Sequence, residues 1–137
     1  MKIQLDTADA ARNVIHAYGP GQVTVNQSVY RRSLVVTPAR VVADWPPQSF
    51  AEFAAPHFEL LRELNPEVVL LGTGGRLRFP RAVDTQSLAQ ANIGLEVMDT
   101  GAACRTYNLL MQDGRRVVAA LLMIEQTPGN LPPDPAA

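Results

Sequence analysis

Two stretches of this 137-residue chain, Val68-Val69-Leu70-Leu71 and residues 117–124, are apolar without alternation. A strand with one wet face alternates apolar and polar side chains, whereas a strand covered on both faces reads as a continuous apolar run. Two such runs suit central strands covered on both faces. Neither reaches the roughly 20 residues that cross a bilayer. The expectation is therefore an α/β domain rather than a membrane-inserted chain.

The segments around these runs supply the other elements. Asp84 stands where it would cap a short helix through Ala91, with Asn92 or Gly94 as terminator. Leu95-Glu96-Val97-Met98 reads as a strand. Thr100 stands where it would cap a helix from Gly101 to about Gln112, and Gly114 suits its end. Strands alternating with helices predict right-handed crossovers and a largely parallel core. Ser49 and Glu52 have capping-box spacing at the start of an earlier helical region. Pro56 either kinks that region or opens a second piece ending near Leu64.

The first third has a different pattern. Residues 14–18 read as a short strand stopped by Gly19-Pro20-Gly21. Val23, Val25, Gln27 and Val29 share one parity, with Thr24, Asn26 and Ser28 on the other, which predicts one half-buried strand. Ser33-Leu34-Val35-Val36-Thr37 follows, Pro38 interrupts it, and Val41-Val42 continues an extended run to Trp45. These segments predict an N-terminal antiparallel meander. The first dozen residues read as a loose arm. The domain is expected over residues 1–125. Residues 126–137 hold Pro128, Gly129, Pro132, Pro133 and Pro135 and are expected to form a disordered tail.

Composition narrows the partners. The formal net charge is -1 and the pI about 6.1. Such a balance gives no electrostatic case for nucleic acid or for an anionic membrane. The chain has one cysteine, Cys104, so no internal disulfide can form. With no signal-like apolar run at the N-terminus, a cytoplasmic setting is expected.

Two constellations bear on chemistry. Gly72-Thr73-Gly74-Gly75 follows a buried strand, where open α/β sheets bind ligands and successive N–H groups hold anions. Arg76, Arg78 and Arg81 follow it. A dinucleotide fingerprint would need glycine where Leu77 stands, and a phosphate loop would need Gly-Lys-Ser/Thr. The loop therefore reads as a structural turn with solvated arginines or, alternatively, as an anion site. The second constellation is Asp99-Thr100-Gly101 and the helix after it. Thr100, Cys104 and Asn108 recur every four residues and share one helical stripe. They line a cleft in one reading. In the other they are a cap, a small packed side chain and a backbone-bonded amide. If strands 68–71 and 95–98 are parallel, Thr73 and Thr100 meet at one sheet edge, and a ligand-binding set Gly72, Thr73, Gly74, Asp99, Thr100, Cys104 and Asn108 follows. His57 reads as a core or rim histidine, and no partner at ligand spacing makes a metal site with it. Trp45 either closes one end of the core or faces a partner.

Leu71-Gly72-Thr73-Gly74 and residues 94–108, with Ser33–Pro38, Asp44-Trp45 and Phe79-Pro80, resemble a family of small domains of unknown function. That family includes the mitochondrial complex I assembly factor 3. The likeness runs over roughly residues 14–124, and its most specific part ends in Thr106-Tyr107-Asn108. The resemblance implies a three-layer α/β domain with a mixed central sheet, and it supplies no catalytic mechanism.

With no complete catalytic set, the expected function is a non-enzymatic interaction or assembly domain with a protein partner and no cofactor. The alternative is a small-ligand or anion-binding protein, or an enzyme, using the Gly72–Gly75 loop and the helix at Thr100. A closed polar cleft between Gly74, Asp99 and Asn108 would favour the alternative. A filled crevice beside an exposed apolar patch would favour the interaction domain.

Overall fold

In the computed structural model, residues 12–126 are described; the expected N-terminal arm and nearly all of the proline-rich tail lie outside them. Strands β1 (Ile15–Gly19), β2 (Gln22–Val25) and β3 (Ser28–Tyr30) form an antiparallel sheet in that order. The main sheet has the order β5-β4-β8-β6-β7. It consists of β4 (Leu34–Val36), β5 (Val41–Val42), β6 (Val68–Gly72), β7 (Gly94–Met98) and β8 (Val117–Leu121). Helices α1 (Ala55–Glu63), α2 (Ala82–Gln90) and α3 (Thr100–Gln112) complete the described fold.

The two apolar runs are central strands, as their lack of alternation requires. β6 runs parallel to both β7 and β8, with Val68 opposite Gly94 and Val117, and Gly72 opposite Met98 and Leu121. Their period of two is hidden because both faces are covered. Val69, Leu71, Val118 and Ala120 pack on one side with Trp45, Phe58 and Leu61 of α1, and Leu88 of α2. Leu70, Ala119 and Leu121 pack on the other with Ala103, Tyr107 and Met111 of α3, and with Val23 and Val25 of the small sheet. Each large apolar side chain buried this way contributes about 1.5–3 kcal/mol. The result is a three-layer mixed α/β fold.

Several local expectations are corrected. The alternating stretch 23–29 is a hairpin, not one strand: Val25 pairs with Ser28 around Asn26-Gln27. Asn26 turns the chain with φ 55, which a short polar side chain tolerates. Its amide is held by Asn13 Oδ1 at 2.8 Å, and its Oδ1 accepts from Val14 N. β5 does not extend β4 but folds back on it, pairing Val36 with Val41. The antiparallel meander is thus β1–β3, while β4 joins the main sheet beside β8. Ser49 makes no side-chain cap; it precedes a single 3-10 turn, Phe50–Glu52. Of the two readings of Pro56 the second holds: it lies in the first turn of α1, a separate helix that ends at Glu63. Asp84 is the third residue of α2, ion-paired to Arg81, rather than its cap.

The most informative correction concerns α3. Its cap is Asp99, whose carboxylate accepts from Ala102 N at 2.9 Å, and Thr100 is already its first helical residue. Asp99→Ala is expected to lower stability by about 1 kcal/mol, the usual scale for an N-cap. Urea unfolding checks this; an unchanged midpoint would remove the capping role.

Candidate functional site

Because β6 and β7 are parallel, the segments leaving their carboxyl ends emerge side by side, as the sequence predicts. Thr73 N donates to Met98 O at 3.0 Å, and Thr100 N donates to Gly74 O at 2.9 Å. Gly74 N donates to Thr100 Oγ1 at 2.9 Å, and that hydroxyl donates to Leu122 O at 2.7 Å. Leu122 N returns a bond to Gly72 O. Thr73 and Thr100 are both fully buried. A Cβ at Gly72 would stand 2.9 Å from Thr100 Oγ1 and 3.0 Å from its Cα, so only glycine permits this approach. The junction is therefore filled by its own backbone and hydroxyl groups.

The glycine loop does hold an anion, and the anion is the chain's own Glu125. Gly75 N donates to Glu125 Oε1 at 2.7 Å, and Arg78 Nη2 lies 2.5 Å from Oε2. Gly74 has φ 97, and a Cβ there would fall 2.6 Å from the same carboxylate. Burial opposes the charge on Glu125, but the Gly75 N–H and the Arg78 guanidinium outweigh it and hold the carboxyl below its usual range. Arg78 also donates to Thr73 O at 2.8 Å and lies 5.1 Å over the Phe50 ring. Arg81 pairs with Asp84, while Arg76 is exposed. Sequence reasoning missed Glu125, whose only signal is its place just beyond an apolar run.

Along α3 the Thr100, Cys104 and Asn108 stripe faces inward. Asn108 Oδ1 accepts from Ile15 N at 3.0 Å and its Nδ2 donates to Ile15 O at 2.7 Å. The amide thus pairs with β1 as a neighbouring strand would, next to a register shift between Ile15 and Ala17. Tyr107 donates its buried hydroxyl to Asn13 O. Cys104 is 1% exposed, and burial pushes its thiol up to about 12, which keeps it protonated at neutral pH. Elsewhere, His57 is a rim residue: its Nδ1 accepts from Ala54 N at 3.1 Å, and its ring meets Trp45 edge-on. Trp45 is fully buried, so it closes the core. Among the described residues, no cluster of metal-binding side chains occurs, and no helix is long and apolar enough to cross a membrane.

The family described as "Protein of unknown function (DUF498/DUF598)" matches residues 15–122. A zebrafish (Danio rerio) protein named NADH dehydrogenase [ubiquinone] 1 alpha subcomplex assembly factor 3 is 33% identical over 116 residues, 82% of this chain. The aligned region spans 66% of that protein, so the chain covers slightly under two thirds of this relative. An uncharacterised Rhodobacter capsulatus protein is 35% identical, with 86% of this chain and 88% of the relative aligned. Among solved structures, a Bordetella parapertussis protein superposes with a TM-score of 0.78 at 42% identity, covering 82% of this chain and 97% of that one.

The carboxylate of Glu125 generates a pH-dependent prediction. A folded-state pKa below the ordinary 4.5 gives stability that is present above 4.5 and lost as pH falls through the lowered value. Glu125→Gln is therefore expected to be less stable than the parent at pH 7, with the difference closing below pH 4.5. Thermal melts of both chains across this range check it; a difference independent of pH would contradict the ionic contact.

Proposed function

Because the chain belongs to the DUF498/DUF598 family of proteins of unknown function, we propose that it is a non-enzymatic interaction domain serving the assembly of a larger protein complex. The animal relatives' names, which refer to an assembly factor for NADH dehydrogenase, give the direction of the reading. The observation that carries it is a pairing of features at one edge. The crevice between Gly74 and Thr100 is filled, and beside it the loop into α2 exposes Leu77 (49%) and Phe79 (71%) and the first turn of α2 exposes Val83 (60%). Exposed Arg76 and Arg81 flank these side chains. Aromatic and arginine side chains together are the usual anchors of protein interfaces. A protein partner and a cytoplasmic setting are parts of this proposal.

The alternative, a ligand or anion site at Gly72–Gly75 and the start of α3, draws support from one fact: the Gly75 N–H does hold a carboxylate. An external anion would have to displace Glu125 and break its contact with Arg78.

Affinity capture of the tagged full chain from native cells, in parent and Phe79→Ser/Val83→Ser forms, tests the interaction reading. Both side chains are exposed, so stability should stay within about 0.5 kcal/mol of the parent. A partner retained by the parent and lost from the variant is expected. Equal recovery from both would overturn this surface as the interface. Phosphate or acetate shifting the Gly75 amide, with no captured partner, would favour the ligand reading.

A further inference from the structure

The sheet edge opposite the glycine loop holds a groove of about 440 Å3. It lies where β6 and β8 begin, against the β4–β5 turn and the carboxyl ends of α1 and α3. Pro38, Leu64, Pro66, Met111, Val117 and Val118 supply its apolar lining. Four guanidinium side chains also line it, Arg12, Arg40, Arg115 and Arg116, with Glu63 as the acidic residue in the lining. A chain with a net charge of -1 and 12 lysines and arginines thus places a third of its cations around one apolar hollow.

Much of this rim is held in place. Arg115 Nε donates to Glu67 Oε2 at 2.7 Å, while Glu67 Oε1 accepts from Arg116 N at 3.0 Å. Arg116 Nε donates to Asn65 O at 3.3 Å, and Arg12 Nη1 to Met111 O at 3.0 Å. The turn carrying Arg40 is closed by Thr37 Oγ1, which accepts from Ala39 N and Arg40 N. A guanidinium has five N–H donors in a planar fork, so one bond orients Arg115 or Arg116 without exhausting it.

We infer that this groove binds a small amphipathic anion, a carboxylate or phosphate head on an apolar body. The volume is in the range of small-ligand sites, about 300–1,000 Å3. Pro38 and Leu64 are partly exposed above a floor of buried Pro66, Met111, Val117 and Val118, so an alkyl body laid on them removes apolar surface from water on both sides. The arginines match the planar carboxylate or phosphate oxygens with paired N–H donors. A bare anion would make no use of Pro38 and Leu64, and a neutral apolar molecule would make no use of the Arg40 and Arg116 guanidiniums. Glu67 stands outside the lining and acts as a positioning residue, neutralising part of the rim while fixing Arg115.

Titration of the full chain by two-dimensional amide NMR tests this, with octanoate, octyl phosphate, 1-octanol and inorganic phosphate as probes. Octanoate or octyl phosphate should shift the amides of residues 37–40, 63–67 and 111–118 saturably, and the tighter of the two identifies the head. Octanol and inorganic phosphate should each bind at least about tenfold more weakly. Arg40→Glu, at an exposed turn position, should weaken the amphiphile about tenfold with no change in Tm, and Arg116→Gln should weaken it in the same direction. Absence of saturable shifts in the groove overturns the inference. So does octanol binding as tightly as octanoate, or Arg40→Glu and Arg116→Gln both binding like the parent. None of these outcomes bears on the Phe79 surface at the other edge.

Discussion

The hydroxyl of Thr100 is the joint on which the arrangement turns. It accepts from Gly74 N and donates to Leu122 O, tying the exits of β6 and β8 to the start of α3. Backbone groups at the ends of two central strands are cut off from water, so each must find a partner inside the protein. A hydrogen bond of this kind contributes about 1 kcal/mol net, but a stranded buried donor or acceptor costs about 1–3 kcal/mol. One side chain meets two such demands. Gly72 follows from it, since a Cβ would collide with Thr100. With the first turn of α3 fixed, Cys104, Tyr107 and Asn108 fall against the core and β1 rather than lining an open cleft.

The larger pattern was legible because it follows from burial. Continuous apolar runs marked β6 and β8, and alternating helices and strands marked the parallel trio. What could not be read was which of two adjacent polar residues does which task. Asp99 and Thr100 are both good caps, and only the three-dimensional position of Leu122 decides that the threonine is taken by the sheet. The 23–29 stretch differs for a related reason: Val29 continues the parity of Val23 and Val25 in the sequence, but the two-residue turn pairs it with Thr24, so it falls on the opposite face and is exposed. Thr73 and Thr100 were expected to meet, and they do. That Glu125 would close the glycine loop was out of reach, because a contact across 50 residues leaves no local trace.

The sheet therefore has two unlike ends. At the carboxyl end, where open α/β sheets usually receive ligands, backbone, hydroxyl and carboxylate groups satisfy one another, and the exposed chemistry is the Leu77, Phe79 and Val83 surface. At the amino end, the backbone is closed by turns and the unfilled space is bounded by arginines. Binding of a partner and binding of a small anion would then use separate faces, with β6 and β8 running between them.

Hydrogen exchange at the Gly74 amide measures most directly whether the carboxyl edge is closed. An N–H bonded to a buried hydroxyl between two central strands should exchange only with global unfolding, at the same free energy as the β6 core amides. That result is expected in the full chain at neutral pH. Exchange of Gly74 at the rate of exposed loops, with β6 still protected, would show that the edge opens by itself, and the closed-junction description would be wrong.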